Sequence, residues 1–286
     1  MNCIAWNCQG LGKPLTVQSL REIAHSHTPD FIFLSETHKC YSYVDSIRTQ
    51  LGYTHSYYVD PVNTAGGLSL WWKEDFLVKV NDYSKYFIDT EITLPDSGSL
   101  IRVTWMYGPP YHGEKENFWN RWYNKRRPDG NPWMVIGDLN EMLFLHEREG
   151  ITPGNLNRRR YLEQFVASNC LMDVGFKGQK YTWARKEDGI TVLQERIDRC
   201  LVCDEWLLSW PNSGVTHLTR IGSDHNPILF TSNPILSKRR GQFKFEAQWA
   251  EEEETYSVIH DSWNCSTNLP NLSQWENNLN NCKVNL

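Results

Sequence analysis

The sequence predicts an α/β protein built from two packed β-sheets with helices on their outer faces. Short apolar runs such as Phe31–Leu34 and Trp133–Ile136 have the unbroken character of strands buried on both faces. Many further strand-like segments follow, separated by Asp, Gly, Ser and Pro turns, with a few stretches of helical spacing between them. At 286 residues, 40% apolar and 13% aromatic, the chain can bury a sizeable core, and it reads as one large domain plus a tail.

Asn2–Trp6 reads as a short strand. Val17, Leu20, Ile23 and Ala24 then recur at helical spacing, and Pro29 closes that segment. Gly66-Gly67 opens a hairpin strand over Leu68–Trp72, and strands follow at Val78–Val80, Phe87–Leu94 and Ile101–Tyr107. Glu114–Lys125, with Phe118, Trp119 and Trp122 on one face, is predicted helical. After Trp133–Ile136, a helix is expected over Arg158–Asn169, where Tyr161, Leu162, Phe165 and Val166 share a face. Strand patterns at Tyr181–Ala184, Val192–Gln194 and Ile197–Val202 precede a short helix, Trp206–Trp210, ended by Pro211. Val215–Leu218 and Ile228–Phe230 are the last strands expected.

From about Pro234 the character changes. Lys238-Arg239-Arg240 and Glu251–Glu254 are opposed charge blocks, and Asn dominates after Asn264. The main domain is therefore expected over 1–233. The tail over 234–286 is expected to be helical around Phe243–Trp263 and loose beyond.

A net charge of −5 draws nothing globally toward nucleic acid, which counts against a pure DNA-binding module. It counts less against an acidic active site neutralised by metal. The eight cysteines are scattered, and Cys200 with Cys203 has no second pair at zinc-ligand spacing. The N-terminal segment has neither a basic start nor a long apolar run, so an intracellular, reduced protein is expected, with no membrane span.

Gly222-Ser223-Asp224-His225-Asn226-Pro227, set before Ile228-Leu229-Phe230, places a carboxylate and an imidazole side by side at a strand end. One of the pair is free to hold a metal while the other touches a phosphate. By itself this tripeptide is equally an exposed loop. Three other segments have the same form: Trp6-Asn7, Ser35-Glu36-Thr37 and Gly137-Asp138-Leu139-Asn140 each close an apolar run. Together they read as one site at the rim of a sheet. Glu36 and Asp224 are hard oxygen donors suited to Mg²⁺, with Mn²⁺ as a substitute. Asn7 and Asn140 offer hydrogen bonds without repulsive charge, Asp138 is placed to polarise a water, and Asp198 is a candidate partner for His225.

The order Asn7, Glu36, Tyr107, Asp138/Asn140, Asp198, Asp224/His225, within WNCQGLG, LSETH, VTWMYGPP, IGDLNE, YTW, ERIDR and GSDHNPILF, resembles the endonuclease/exonuclease/phosphatase superfamily over roughly 1–232. The resemblance implies the DNase I-like fold, a four-layer α/β sandwich of two mainly antiparallel sheets flanked by helices. Within that superfamily, WNCQGLG, GGLSLWW, YGPP, GDLNEML, GFKGQKYTW and GSDHNPILF look most like the endonuclease domain of plant LINE-type non-LTR retrotransposons. Lys244-Phe245-Glu246-Ala247-Gln248-Trp249 resembles the segment C-terminal to that domain in such elements, so a fragment, a truncated copy or a domesticated gene is expected.

The resemblance has specific implications for residues. Glu36 would be the main metal ligand, with Asn7 and Asp224 nearby; Tyr107 would contact the scissile phosphate; Asp138 would position the water. Asn140 would stabilise transition-state oxygens, and His225, oriented by Asp198, would bind the phosphate. Thr182, Trp183 and Ser223 are candidate substrate contacts, although Trp183 serves equally as packing. Gln9 stands where abasic-site repair enzymes of the superfamily carry Asp, and Arg196-Ile197-Asp198-Arg199 replaces the Trp-Cys-Asp-Arg of inositol-phosphatase relatives. The first departure argues against a dedicated repair enzyme and the second against a phosphatase, so a DNA-nicking endonuclease is the leading expectation. No membrane and no obligate protein partner are expected, and the nucleus is its expected place. The alternatives are an idle retroelement remnant or binding domain, and a phosphatase or phosphodiesterase on a small molecule or lipid. His38 and the other remaining histidines lack motif context and read as surface or core residues.

Overall fold

The computed structural model describes residues 1–62, 66–126, 129–150, 160–233 and 253–263, together with Asn278 and Cys282. The chain divides into two compact units, Met1–Pro234 and Ile235–Leu286. In the first, β1 (Asn2–Asn7), α1 (Pro14–His27), β2 (Phe31–Ser35), α2 (Tyr41–Gln50), β3 (His55–Val59) and β4 (Leu68–Trp72) come first. They are followed by β5 (Leu77–Ser84), β6 (Phe87–Thr93), β7 (Leu100–Tyr107), α3 (His112–Arg121), β8 (Trp133–Asp138) and β9 (Arg148–Gly150). Then come α4 (Arg160–Ser168), β10 (Met172–Asp173), β11 (Lys177–Gly178), β12 (Trp183–Glu187), β13 (Ile190–Glu195) and β14 (Asp198–Val202). The unit closes with α5 (Asp204–Ser209), β15 (Gly214–His217) and β16 (Ile228–Thr231). In the second unit the described helix is α6 (Glu253–Trp263), inside the stretch expected to be helical.

The strands form a seven-stranded sheet, β11-β15-β16-β1-β2-β4-β3, and a six-stranded sheet, β10-β14-β8-β7-β6-β5. A small sheet, β12-β13-β9, completes the set. Both large sheets are covered on two faces, which explains the unbroken apolar runs. In β1 and β2, Cys3, Ala5, Phe31 and Phe33 point into the core between the sheets, while Ile4, Trp6, Ile32 and Leu34 pack under α1 and α2. Trp105 of β7 crosses that core to stack at 5.5 Å on Phe31. On the far face of the second sheet, Trp133 meets Phe165 of α4, and Phe87 meets Trp122 just after α3. The result is helix, sheet, sheet, helix: the expected four layers.

Several boundaries differ from expectation, each for a local reason. The third helix runs His112–Arg121 and stops before Lys125, because Trp122 leaves helical geometry and Asn124 takes a left-handed φ of 50°. Helix α2 has no counterpart among the expected elements: only Val44 and Ile47 are buried in an otherwise polar segment. The hairpin strands β12 and β13 are longer than expected, and the two-residue strands β10 and β11 have no pattern to read. Of the expected Arg158–Asn169 helix, Arg158 and Arg159 lie outside the described residues, as do Lys238-Arg239-Arg240, the Lys244–Trp249 stretch and most of the chain after Asn264.

The first unit holds both hydrophobic clusters of the described residues. A chain ending near Ser237 is therefore expected to fold cooperatively by itself. Thermal unfolding of the shortened protein checks this, and a chain that does not fold would make the second unit an integral layer of the core.

Candidate active site

Topology brings the candidate residues together. Strands β1 and β2 are parallel neighbours, as are β7 and β8, so Asn7, Glu36, Tyr107 and Asp138 all leave at the same ends of their strands. Strand β14 runs antiparallel to β8 and places its first residue, Asp198, opposite Asp138. Strand β16 runs antiparallel to β1, so His225 just before it arrives at the same rim. Tyr107, Asp138 and Asp198 thus form one row across three strands.

The asparagine of β1 is the link between the sheets. Its Nδ2 donates to Glu36 Oε1 at 3.0 Å and to Asp138 Oδ2 at 2.9 Å, while Gln9 N donates to its Oδ1 at 3.3 Å and fixes the amide. Tyr107 Oη donates to Glu36 Oε1 at 2.7 Å. Asn140 donates from its backbone N to Asp138 Oδ1 at 2.9 Å, and from Nδ2 to Gly108 O at 2.8 Å and Asp138 Oδ2 at 3.2 Å. His225 Nδ1 lies 2.9 Å from Asp198 Oδ2, and Nε2 lies 3.7 Å from Asp138 Oδ2. A hydrogen-bonded chain therefore runs from Tyr107 through Glu36, Asn7 and Asp138, with the His225–Asp198 pair against its end.

Backbone strain collects here. Gln9, Glu36, His38 and Asn140 all have φ between 46° and 53°, a region costly for residues other than glycine. The surrounding loops hold Glu36 in place through Gly10 N to Glu36 O, Thr37 N to Gly67 O and His38 N to Gly66 O. Gly67 is required by close approach, since a Cβ there would sit 2.4 Å from Thr37 Oγ1. Gly137 is more constrained still: its φ is 140° and a Cβ would meet Met106 O at 2.0 Å.

Electrostatics follow from burial. Burial alone would lower the His225 imidazole, but the Asp198 and Asp138 carboxylates outweigh it and push it up to about 10, so the ring is cationic at neutral pH. Burial pushes Asp138 up to about 7, against the opposing His225 cation and Asn7 N–H. Tyr107 is raised well above the ordinary phenol, first by burial and then by the Glu36 charge, so it stays a donor.

Behind this layer, Arg196 and Arg199 on either side of Asp198 grip Glu147 at 2.8 and 2.7 Å and Asp173 at 2.8 and 2.9 Å. Thr182 Oγ1 accepts from Ile197 N and Asp198 N at 3.1 and 3.0 Å. Its side chain is wholly buried, and in this structure its hydroxyl positions the backbone of Asp198. Ser223 Oγ donates to Asn7 O at 2.8 Å and accepts from His225 N at 3.1 Å, stapling the histidine loop to β1. Asp224 Oδ2 accepts from Trp183 Nε1 at 2.8 Å.

His38, read from sequence as a residue without role, lies with Nε2 3.5 Å from Glu36 Oε2. Lys115 was likewise unread: it is buried in α3, donates to Asn140 O at 2.6 Å and pairs with Glu141 at 2.9 Å. Beside Trp183 and Asp224 opens a groove of about 620 Å³ whose walls include Arg185, Lys186 and Arg220. Its cationic lining could not be read from sequence, because Arg220 comes from a different segment than the hairpin carrying Arg185 and Lys186.

At this rim, two groups of described residues could hold a metal. The ligand atoms of Asp138, Asp198 and His225 lie within 4.8 Å of one another, but these residues are buried and bonded among themselves. Glu36 fits better. Its side chain is 21% exposed, its Oε1 takes the Tyr107 and Asn7 donors, and its Oε2 lies 3.5 Å from His38 Nε2. A partly solvated carboxylate with an adjacent amide is a donor set suited to a hard divalent cation.

The Endonuclease/Exonuclease/phosphatase family model matches residues 4–225. No curated protein shows a significant match to the chain. Among solved structures, a 3′-5′ exonuclease (NExo) from Neisseria meningitidis is similar with a TM-score of 0.62 and 17% identity, over 82% of this chain and 100% of that one. The AP endonuclease LMAP from Leishmania major gives 0.60 and 17%, over 80% and 86%. The endonuclease domain of TRAS1, a telomere-specific non-LTR retrotransposon, gives 0.59 and 15%, over 80% and 97%. At these identities the likeness is one of fold.

Proposed function

Since the chain belongs to the endonuclease/exonuclease/phosphatase family, hydrolases of the nuclease and phosphatase type, we propose that it is a metal-dependent endonuclease that nicks DNA, of the retrotransposon kind. The observation that carries this reading is the buried Asp198–His225 pair set against Asp138, within one hydrogen-bonded network with Asn7 and Glu36. The groove lined by Arg185, Lys186 and Arg220 favours a polyanion over a small phosphate ester.

Each residue supplies one requirement of phosphodiester hydrolysis. His225, cationic and held by Asp198, donates its Nε2–H to a non-bridging oxygen and offsets the charge that builds there. Asp138, oriented by Asn7 and Asn140, accepts a proton from the attacking water as the oxygen–phosphorus bond forms. The phosphorus–O3′ bond breaks, and the departing O3′ oxygen takes a proton from solvent water, leaving a 3′-hydroxyl and a 5′-phosphate. Tyr107 holds the Glu36 carboxylate in one orientation. Glu36 and Asn7, with Asp224, are the residues that would hold Mg²⁺ or Mn²⁺, which when bound supplies charge neutralisation at phosphate and leaving oxygen.

The test is nicking of supercoiled plasmid with Mg²⁺ or Mn²⁺, with and without EDTA, beside phosphoinositide substrates. Nicking that EDTA removes is expected. Phosphate release from the lipids without nicking would favour the phosphatase alternative, and neither activity would leave an idle remnant.

Asp198→Asn is expected to keep the fold and lower nicking by about 10²-fold, the loss typical of a positioned acid–base partner. A purely structural role would leave the pH profile in place. Loss of the Asp198 charge should instead lower the imidazole and bring the alkaline fall in activity to lower pH. Wild-type rate and profile in that variant would show that the pair does not matter.

A further inference from the structure

A second recess, of about 580 Å³, shares Glu36 and Tyr107 with the catalytic cluster, so whatever enters it is adjacent to the reacting phosphate. Its charge is opposite to that of the Trp183 groove. Asp60, Glu36 and Glu114 line it against Lys85 and His38, and Lys85 is already paired with Glu114 at 3.0 Å. Away from Glu36 its one lysine is already paired, and the cationic groove by Trp183 suits the backbone phosphates better. The recess walls are instead aromatic. Tyr107 is fixed by its hydroxyl on Glu36, and Tyr86 by its hydroxyl on Glu114, with the two ring centres 6.2 Å apart. Tyr111, at the edge of the same recess, is 73% exposed.

We propose that this recess receives the unpaired base of a nucleotide flanking the scissile phosphate, stacked on Tyr111, while the backbone of the opposite flank tracks Arg185, Lys186 and Arg220. The proposal rests on reading the site as a DNA phosphodiesterase and adds what that reading leaves open: one flank is held by a base, the other by its phosphates. Stacking on an aromatic face is sequence-tolerant, so the recess selects an unstacked nucleotide more than a particular base.

The experiment maps the cut in a short DNA duplex, then replaces each flanking nucleotide by an abasic tetrahydrofuran. Removing the base on one flank should slow the wild-type protein about tenfold, the scale of one lost stack. Tyr111→Ala should slow the intact substrate by a similar factor and lose nothing more on the abasic one, and Tyr111→Phe should restore wild-type behaviour. Indifference of the wild-type protein to either base, or undiminished sensitivity in Tyr111→Ala, would overturn the proposal. A binding arm separates this from the nuclease reading: single-stranded oligonucleotides carrying 2-aminopurine at successive positions are titrated with protein. If no DNA is cut but fluorescence is quenched in a Tyr111-dependent way, the nuclease reading fails while base stacking in the recess stands. Binding without such quenching refutes the recess.

Discussion

Asp138→Asn is expected to lower DNA nicking by about 10³-fold with the fold intact, in the middle of the range for a lost general base. The substitution keeps the side-chain shape, so the bond from Asn140 N to Oδ1 survives, but the remaining atom must now accept from Asn7 and Asn140 with an amide that is itself a donor. It also removes one of the carboxylates that hold His225 cationic. The wild-type pH profile follows from the same geometry. Activity should rise as pH passes about 7, where Asp138 loses its proton, and fall again toward about 10, where His225 loses its own. Measuring kcat/KM from pH 5 to 11 checks both limbs. A flat profile across neutrality, or an Asp138→Asn protein within a few-fold of wild type, would remove Asp138 from the proton transfer.

How much of this site was legible in the sequence depends on the range of the interaction. Strand ends are local: an apolar run followed by a polar residue is visible in Phe31–Leu34 before Glu36 and in Trp133–Ile136 before Asp138, and the rim followed from that. The Asp198–His225 partnership was also anticipated, and the ring stands 2.9 Å from its carboxylate. The hidden part is set by side-chain direction. Nothing in Tyr181–Ala184 says that Thr182 turns inward to two backbone N–H groups while Trp183 turns to Asp224. His38 reaches Glu36 only because a left-handed turn at both residues bends the loop back. Asp224 accepts from the Trp183 indole, a pairing that no local spacing shows. Helix α2 escaped notice because two buried aliphatics in ten residues make too weak a stripe to read.

Glu147→Gln is expected to destabilise the fold by about 3–5 kcal/mol, the cost of removing one partner from a buried ion-pair network. Glu147 is almost fully buried and meets Arg196 and Arg199 while its Oε2 also accepts from Leu143 N and Phe144 N. Glutamine keeps the shape and an acceptor but leaves two buried guanidinium groups with Asp173 as their remaining carboxylate in that network. Those guanidinium groups flank Asp198, so the loss should also loosen the carboxylate that holds His225. The pH dependence has a definite sign. Burial would raise the Glu147 carboxyl, but Arg199 and the backbone donors outweigh it and the group lies below its ordinary value. A depressed carboxyl contributes stability above its unfolded pKa, near 4.5, and that contribution is lost as pH falls through the lower folded value. Urea unfolding at pH 7 and at pH 3 measures both effects: the gap between wild type and Glu147→Gln should be large at pH 7 and shrink in acid. Equal stability of the two proteins at pH 7 would mean that Asp173 alone satisfies the pair of arginines, and that the strand carrying Asp198 is held by its backbone ladder to β8.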